Sequence, residues 1–427
     1  GFTMTEHKII FGDSRSLNQI KDKSVQLIIT SPPYWQLKEY GTEDQIGFND
    51  SYEEYINNLN LVWKECNRVL SDGCRLCINI GDQFARSVYY GRYKVIPIRT
   101  EIIRFCESLG MDYMGAIIWQ KTTTMNTSGG GAIMGSFPYP RNGILKMDYE
   151  FILLFKKLGN APKPTQQQKE QSAMTKEEWS QYFSSHWNFN GVKQLGHIAM
   201  FPEELPKRLI KMFSFSGETV FDPFAGSGTT SLAAKNLGRN SIGYEINRDF
   251  KPIIREKLGV SQLTLGDDAK VIFVEDDIGN ISSFEQLPYL FNDPHRMDKK
   301  IDVKKLQFGS RIDQSESKRE ELFSVKKVIS PDKIELSNGL TVRLLGIKPN
   351  PLYQGEAISF LQEKFQKRKV FLKYDAIKYD AENNLMCYMY LDNKTFINNH
   401  LVRTGFVDVD TSFDYTYQKK FLNSFPD

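Results

Sequence analysis

At 427 residues the chain exceeds what one hydrophobic core usually fills, so two domains are expected. Hydrophobic residues make up 40% and charged residues 25%, an ordinary soluble composition, and a net charge of only +3 excludes a global field drawing the chain onto nucleic acid, so phosphate contacts must come from local basic patches. No long apolar span or signal peptide is evident, which argues against a membrane role, and five cysteines without ligand spacing argue against both a metal site and a disulfide framework.

The front half alternates strand and helix patterns. Residues 8–11 and 25–30 are short β-rich runs ending in polar or Gly/Pro turns. Residues 52–70 carry Leu59, Val62 and Trp63 on one helical face, and Ser71-Asp72-Gly73 reads as the stop. Residues 74–80 form a continuous apolar strand, in which Cys74 and Cys77 read as core. A helix over 98–109 closes at Gly110, and strands follow over 113–119 and 149–155. Further on, 203–213 and 229–237 read as helices, and 219–221 and 240–244 as strands. Such alternation predicts an α/β parallel sheet with helices on both faces.

Two stretches interrupt the pattern. Residues 122–146 are rich in Gly, Ser, Thr, Asn and Pro, and 160–195 are polar with scattered aromatics, so both are expected to be inserted loops. Residues 265–321 mix acidic runs with Pro, Asn and His and read as a connector, and a β-rich block runs from 322 to 427. The first domain is accordingly expected over 4–264.

Two motifs carry chemistry. The strand over 25–30 ends in Thr30-Ser31-Pro32-Pro33-Tyr34-Trp35, where consecutive prolines stiffen the turn and fix its carbonyls. Far downstream stands Phe221-Asp222-Pro223-Phe224-Ala225-Gly226-Ser227-Gly228-Thr229-Thr230, between a strand and a helix. Gly226 and Gly228 let backbone amides approach a ligand, and Ser227 and Thr229 are candidate helix caps. No Gly-Lys-Ser/Thr follows, and an Asp at the strand end would repel phosphate, so a nucleotide-phosphate loop does not fit.

Together, in this order, the motifs resemble the permuted β group of DNA amino-methyltransferases, which act on cytosine N4 or adenine N6. The resemblance covers about residues 8–258. It implies a Rossmann-like sheet that takes S-adenosylmethionine, acting on double-stranded DNA in the cytoplasm at the nucleoid, with a cognate restriction endonuclease as an expected partner. Ser31 and the Pro32 carbonyl would accept hydrogens of the base amine, Pro33 would stiffen the loop, and Tyr34 would stack on a base turned out of the duplex. Asp222 would meet the cofactor's cationic amino group, with Pro223, Phe224, Gly226, Ser227, Gly228 and Thr229 around it. Glu245 would accept the ribose hydroxyls. Asp13 and Ser14 match the adenine-contacting position, and Phe201 and Glu204 match the segment closing over the methionine moiety. The family's His-Pro-Ala-Pro before that segment is replaced by His197-Ile198-Ala199-Met200, which puts the local backbone path in question. Asp82 either touches the target base or caps a turn. Within the family Ser before Pro-Pro-Tyr accompanies cytosine N4 chemistry, and Asp or Asn there accompanies adenine N6. Cytosine C5 chemistry needs a cysteine after proline, and no cysteine here has that neighbour.

The last block resembles the staphylococcal-nuclease fold, a five-stranded OB-type barrel. Its match rests on Val342-Arg343-Leu344-Leu345-Gly346-Ile347 and on Asn399-His400-Leu401-Val402-Arg403-Thr404-Gly405-Phe406. The family's calcium-binding turn reads Ser330-Pro331-Asp332-Lys333 here, Lys348 replaces a second metal acid, and Asn384 stands near the second Arg position. This implies a barrel that does not cleave, with no metal bound. Lys364, Lys367, Arg368 and Lys369 are candidate phosphate contacts, or a basic solvated helix end.

Overall fold

The computed structural model describes residues 4–35, 46–47, 50–85, 90, 92–120, 135–191, 201–260, 269–277, 281–295, 322–382 and 384–427. The elements run β1 (Thr5–Phe11), β2 (Val25–Thr30), α1 (Tyr52–Val69), β3 (Leu70–Ile80), β4 (Gln83–Ala85), β5 (Lys94–Ile96), α2 (Ile98–Ser108), β6 (Asp112–Gln120) and β7 (Tyr149–Lys156). Then come α3 (Gln166–Ser172), α4 (Lys176–Tyr182), β8 (His186–Trp187), α5 (Glu204–Phe213), β9 (Thr219–Asp222), α6 (Thr229–Asn236), β10 (Asn240–Glu245), α7 (Lys251–Lys257) and β11 (Ala269–Glu275).

Among the described residues these strands form a nine-stranded sheet in the order β11-β1-β10-β9-β2-β3-β7-β6-β8. Period-two alternation assigns each strand's side chains to two cores. Ile10, Ile28 and Ile78 pack with Leu59 and Val62 of α1 and Ile102 of α2. Leu27, Ile29 and Val220 pack with Leu205 and Leu209 of α5 and with Ala233 and Ala234 of α6 on the other face. The strands from β11 through β3 are mutually parallel, so their carboxyl ends share one edge.

Four expectations need correction. The sheet is mixed, because β7 runs antiparallel to both β3 and β6. Ser71-Asp72-Gly73 is not a stop: β3 starts at Leu70 and takes the extra residues as an irregularity in its pairing with β2. The stretch read as a connector supplies β11, whose Ala269–Glu275 run pairs with all of β1, and Leu287 and Phe291 pack in the core with Tyr52. Residues 160–183 are not an open loop. Thr165 with Gln168, and Thr175 with Glu178, form capping boxes that start α3 and α4. Gln168 donates to the Ser216 carbonyl below β9, Ala161 lies against Gly73, and Glu178 pairs with Lys211, so this segment sits at the opposite end of the sheet.

The second unit contains β12 (Phe323–Ser330), β13 (Lys333–Leu336), β14 (Thr341–Leu344), β15 (Ile347–Pro349), α8 (Gln354–Phe365), β16 (Lys369–Lys373), β17 (Leu385–Leu391), α9 (Ile397–Arg403), β18 (Val407–Val409) and α10 (Gln418–Ser424). β12, β13, β14, β17 and β16 close into a barrel, as expected for an OB-type domain. No helix among the described residues is long and apolar enough to cross a membrane.

Candidate active site at the carboxyl edge of the sheet

The parallel strands bring residues distant in sequence to one edge. The catalytic motif leaves β2, and the glycine loop leaves β9, its direct neighbour. Thr30 Oγ1 donates to Asp222 Oδ1 at 2.5 Å, joining the two motifs across 192 positions. Asp222 is 3% exposed and also accepts from the Phe224 amide (2.9 Å) and from Thr230 Oγ1 (2.9 Å). Burial pushes its carboxyl up to about 6, against these hydrogen bonds. Asp222 therefore braces the loop from inside.

The Ser31 hydroxyl donates to the Asn79 carbonyl at 3.0 Å. With its proton committed, the oxygen offers lone pairs to a further donor. Tyr55 donates to the Pro33 carbonyl at 2.6 Å, while the Pro32 carbonyl accepts no hydrogen bond among the described residues. Tyr34 is buried, and its hydroxyl donates to Glu150 Oε1 at 3.3 Å. Burial, then the charge of Glu150, raises its phenol well above the ordinary range. A Cβ on Gly81 would lie 3.0 Å from the Tyr34 hydroxyl and 3.2 Å from Glu150, so any larger residue there would press on this pair. Gln83 clamps Trp35, accepting from its amide at 3.0 Å and donating to its carbonyl. Asp82 lies 3.8 Å from Arg99, and burial raises its carboxyl while Arg99 lowers it.

In the glycine loop, Gly226 (φ 54°) and Gly228 (φ 87°) adopt the left-handed region. Gly228 is the N-cap of α6 and makes no side-chain cap bond, so Ser227 and Thr229 are not caps as expected. Their hydroxyls instead accept from Lys257 Nζ, at 2.7 and 2.9 Å. Glu245 ends β10 and accepts from the amides of Gly226 (3.0 Å) and Asn247 (2.8 Å), and burial lifts its carboxyl to about 7. The Gly12 amide donates to the Glu245 carbonyl at 3.0 Å, setting Asp13 and Ser14 beside it. The Asp13 carboxylate is held by Arg15 at 2.6 Å, and Arg15 also donates to Asn58 Oδ1. Phe201 is buried with Leu205 and Trp187, and Glu204 pairs with Arg208 at 2.9 Å. Pro223 leads to Phe224, which packs edge-on against Trp63. His197 to Met200 lie outside the described residues, as do 121–134 of the first inserted loop.

These residues fit S-adenosylmethionine. The start of α6 lacks side-chain caps, so its backbone donors suit a carboxylate. A Cβ on Gly226 would meet nothing within 4 Å, and the Trp63 indole N–H, buried beside Phe224, has no acceptor among the described residues. The acids Asp13 and Glu245 stand at adjacent strand ends, suited to adenosine hydroxyls and amines.

Sequence reasoning missed Glu150, Asp276 and Lys257. Glu150 was visible as a lone acid in an apolar strand. Asp276, which accepts from Tyr244 at 2.8 Å beside Gly12, follows the apolar run Val271–Val274, a strand signal masked by acidic neighbours. Lys257 carries no local signal, lying 28 residues beyond Thr229.

In the barrel, Arg343 points at three carboxylates, Asp380 (3.0 Å), Asp332 (3.5 Å) and Asp410 (3.6 Å). Of these only Asp332 was anticipated. Lys348 is exposed, and Asn384 donates to Asp380 at 3.1 Å. Lys367, Arg368 and Lys369 are exposed, with Arg368 paired to Asp392 at 3.2 Å, and Lys364 is half-buried. No group of acids, histidines and cysteines that could hold a metal is found among the described residues.

A nucleotide-type sheet with an uncapped glycine loop at one strand end and an acid at the next defines an S-adenosylmethionine-dependent methyltransferase. The chain belongs to the DNA methylase family, whose profile matches residues 25–256, and a staphylococcal nuclease homologue profile matches residues 325–424. It is 39% identical over 301 residues to the type II methyltransferase M.MjaI of Methanocaldococcus jannaschii, a match covering 63% of this chain and 97% of that protein. The type II methyltransferase M.MthZI of Methanothermobacter thermautotrophicus is 36% identical over 279 residues, covering 60% of this chain and 77% of its own. A solved structure from Thermus thermophilus, assigned as a DNA modification methylase and complexed with S-adenosyl-L-methionine, is 33% identical with a TM-score of 0.51. That match covers 64% of this chain and all of the other.

Proposed function

We propose that this DNA methyltransferase modifies the exocyclic N4 of cytosine at a specific site in duplex DNA. The observation that carries this reading is the Ser31 hydroxyl donating to the Asn79 carbonyl next to the cofactor loop. An exocyclic base amine is a poor nucleophile because its lone pair is delocalised into the ring. Ser31 Oγ and the Pro32 carbonyl accept its two hydrogens, which localises the pair on nitrogen. S-adenosylmethionine, when bound, supplies the electrophilic methyl group. Held by Ser31 and the Pro32 carbonyl, the amine would take that methyl as the carbon–sulfur bond of the sulfonium breaks to leave a neutral thioether, and the nitrogen would give up one proton to solvent. Tyr34, fixed by Glu150, forms one wall for a base turned out of the stack. Ser31 as the first motif residue favours cytosine N4; adenine N6 is the second reading, on the same scaffold.

The catalytic domain is assigned to residues 4–277 with 281–295 packed on it, and the accessory barrel to 322–427. Specificity is assigned to 122–146, between β6 and β7 in the chain, and to 188–195, the part of the second inserted loop that follows β8. The names of the relatives support a restriction-modification setting, with a cognate endonuclease as partner. The barrel is read as a DNA-binding domain that does not cleave, because a guanidinium already neutralises the carboxylates a cation would need.

Incubating the protein with duplex DNA and cofactor, then digesting to nucleosides for mass spectrometry, is expected to yield N4-methylcytidine in deoxy form. N6-methyladenine would overturn the base assignment alone. The same DNA with calcium or magnesium is expected to stay uncut, and metal-dependent cuts would overturn the barrel reading.

Cofactor affinity is expected to depend on pH through Glu245. Its folded carboxyl sits at about 7, and only the ionised form accepts from two ribose hydroxyls. Affinity therefore rises as pH passes from about 6 to 8, with a proton released on binding. Calorimetry in two buffers of different ionisation enthalpy measures this, and a flat affinity over that range would rule Glu245 out as the ribose acceptor.

A further inference from the structure

The segment that enters β7 springs from the edge of the sheet that carries the catalytic motif. Ile80 at the end of β3 pairs with Phe151, and Gln120 at the end of β6 pairs with Tyr149, so the chain between β6 and β7 leaves and rejoins the sheet at that edge. Its root lies beside Tyr34. Glu150 accepts from the Tyr34 hydroxyl, Tyr149 packs edge-on against Phe151, and the Arg99 guanidinium lies 3.7 Å over the Phe151 ring. Upstream of this root, residues 136–141 form a closed loop. The Ser136 carbonyl accepts from the Tyr139 amide, and the Ser136 hydroxyl donates to the Tyr139 carbonyl, both at 2.8 Å. The two legs meet at Gly135 (φ 96°), where a Cβ would collide with the Asn142 carbonyl. Pro138 and Pro140 fix φ at two positions inside it. On this stiff loop Phe137 is 72% exposed and Tyr139 75%, with Arg141 and Lys146 exposed beside them. Three other exposed aromatic residues of the catalytic domain, Tyr113, Trp179 and Phe183, each lie against a further ring. Phe137 and Tyr139 make no ring contact among the described residues.

We propose that this loop is the wedge that opens the duplex: Phe137 enters the stack beside the target pair as the base turns out toward Tyr34. Tyr139 stacks next to it, and Arg141 meets the phosphate backbone. The inference rests on reading Tyr34 as a wall for an extruded base. The occupant follows from the position of the loop, since a DNA methylase must present its catalytic edge to the duplex. The gap between base pairs is the apolar space an aromatic ring can enter there. Turning a base out leaves its neighbours without a stacking partner, and an aromatic face replaces that partner whatever the sequence. A ring left in water by the free protein gains its burial only in the complex. Stiffness matters because a slack loop would lose on binding much of what stacking returns. Two prolines, two hydrogen bonds and the closed neck at Gly135 remove that freedom beforehand. Such a wedge serves either target base, so it stands apart from the choice between cytosine and adenine.

The test uses the full-length chain and a short duplex carrying the sequence it methylates, located by sequencing methylated product. Phe137→Ala is expected to lower the single-turnover methylation rate on this duplex by about tenfold or more, the loss of one base–aromatic stack. S-adenosylmethionine affinity, read by calorimetry, should be unchanged. On the same duplex with an abasic site opposite the target, where the pair is already broken, the variant should run within about threefold of wild type. Phe137→Leu keeps an apolar wedge and should recover most of the loss. Trp179→Ala removes an exposed ring from the opposite end of the sheet and should match wild type on both duplexes. A fluorescent base at the target position, pyrrolocytosine for cytosine or 2-aminopurine for adenine, should brighten when wild type binds and much less when Phe137→Ala binds. Equal brightening by the two proteins, with equal rates on the matched duplex, would overturn the wedge and leave the base pocket standing. No brightening by a wild type that methylates the duplex would overturn base extrusion itself, and the wedge with it. A loss in Phe137→Ala that is equal on both duplexes and accompanied by weaker cofactor binding would mark a role in folding alone, and would also overturn the proposal.

Discussion

Ser31→Ala is expected to lower kcat by about 10²–10³-fold, the effect of removing one preorganised polar group from a developing charge. Cofactor affinity should be unchanged, because the Ser31 hydroxyl bonds to the Asn79 carbonyl of β3 and not to the glycine loop. The variant loses a buried hydroxyl that only donates to a carbonyl, so its stability should fall by only about 1 kcal/mol. Single-turnover rates and calorimetry on the same preparation separate the two quantities. A near-wild-type turnover would remove Ser31 from the reaction and, with it, the serine argument for cytosine. Loss of cofactor binding instead would show that the motif holds the loop rather than the base.

Asp222→Ala should have the largest effect on the cofactor site and on the fold together. The carboxylate accepts from Thr30, from the Phe224 amide and from Thr230, and all three donors are left buried without it. Each such group costs about 1–3 kcal/mol, so a loss of about 3 kcal/mol or more is expected, a melting shift on the order of 5–10 °C. Binding of S-adenosylmethionine should be lost over the range where the variant remains folded. Asp222→Asn keeps the shape and one acceptor and should be milder. Its pH dependence has a definite sign. The wild-type carboxyl sits at about 6 when folded, above its unfolded value, so its contribution to stability is present in acid and lost as pH rises through about 6. The asparagine variant, which cannot ionise, should therefore gain on the wild type between about pH 4 and 7. A variant as stable as wild type that still binds cofactor would show that the brace is dispensable.

The site also explains why one edge of the sheet carries all the chemistry. Thr30, Asp222 and Glu245 end, and Gly12 follows, four neighbouring parallel strands, so a displacement of any one strand moves the proposed base acceptor relative to the proposed cofactor loop. The Thr30–Asp222 bond keeps these two half-sites in register.

Whatever a few consecutive residues can dictate was legible in the chain itself. Prolines 32 and 33 stiffen a turn, Gly226 and Gly228 permit the left-handed backbone, and the consecutive apolar residues Leu27, Ile28 and Ile29 mark a strand with two buried faces. Those constraints act between neighbours, so both motifs and most element boundaries could be read from the residues alone, while the closed barrel was implied by a resemblance. The capping boxes at Thr165 and Thr175 are equally local, and are easily lost within a polar stretch. The rest needed the folded chain. The antiparallel course of β7, the recruitment of Ala269–Glu275 as an edge strand, and the placing of α3 and α4 away from the catalytic edge depend on which surfaces meet in space. The Asp222 carboxylate accepts from Thr30, which arrives from 192 residues away. Lys257 reaches Ser227 and Thr229, and Arg343 gathers three aspartates, through packing of elements that share no local pattern. Contacts of that kind are chosen by burial and charge neutralisation over the whole chain, for which no short run of residues carries a signal.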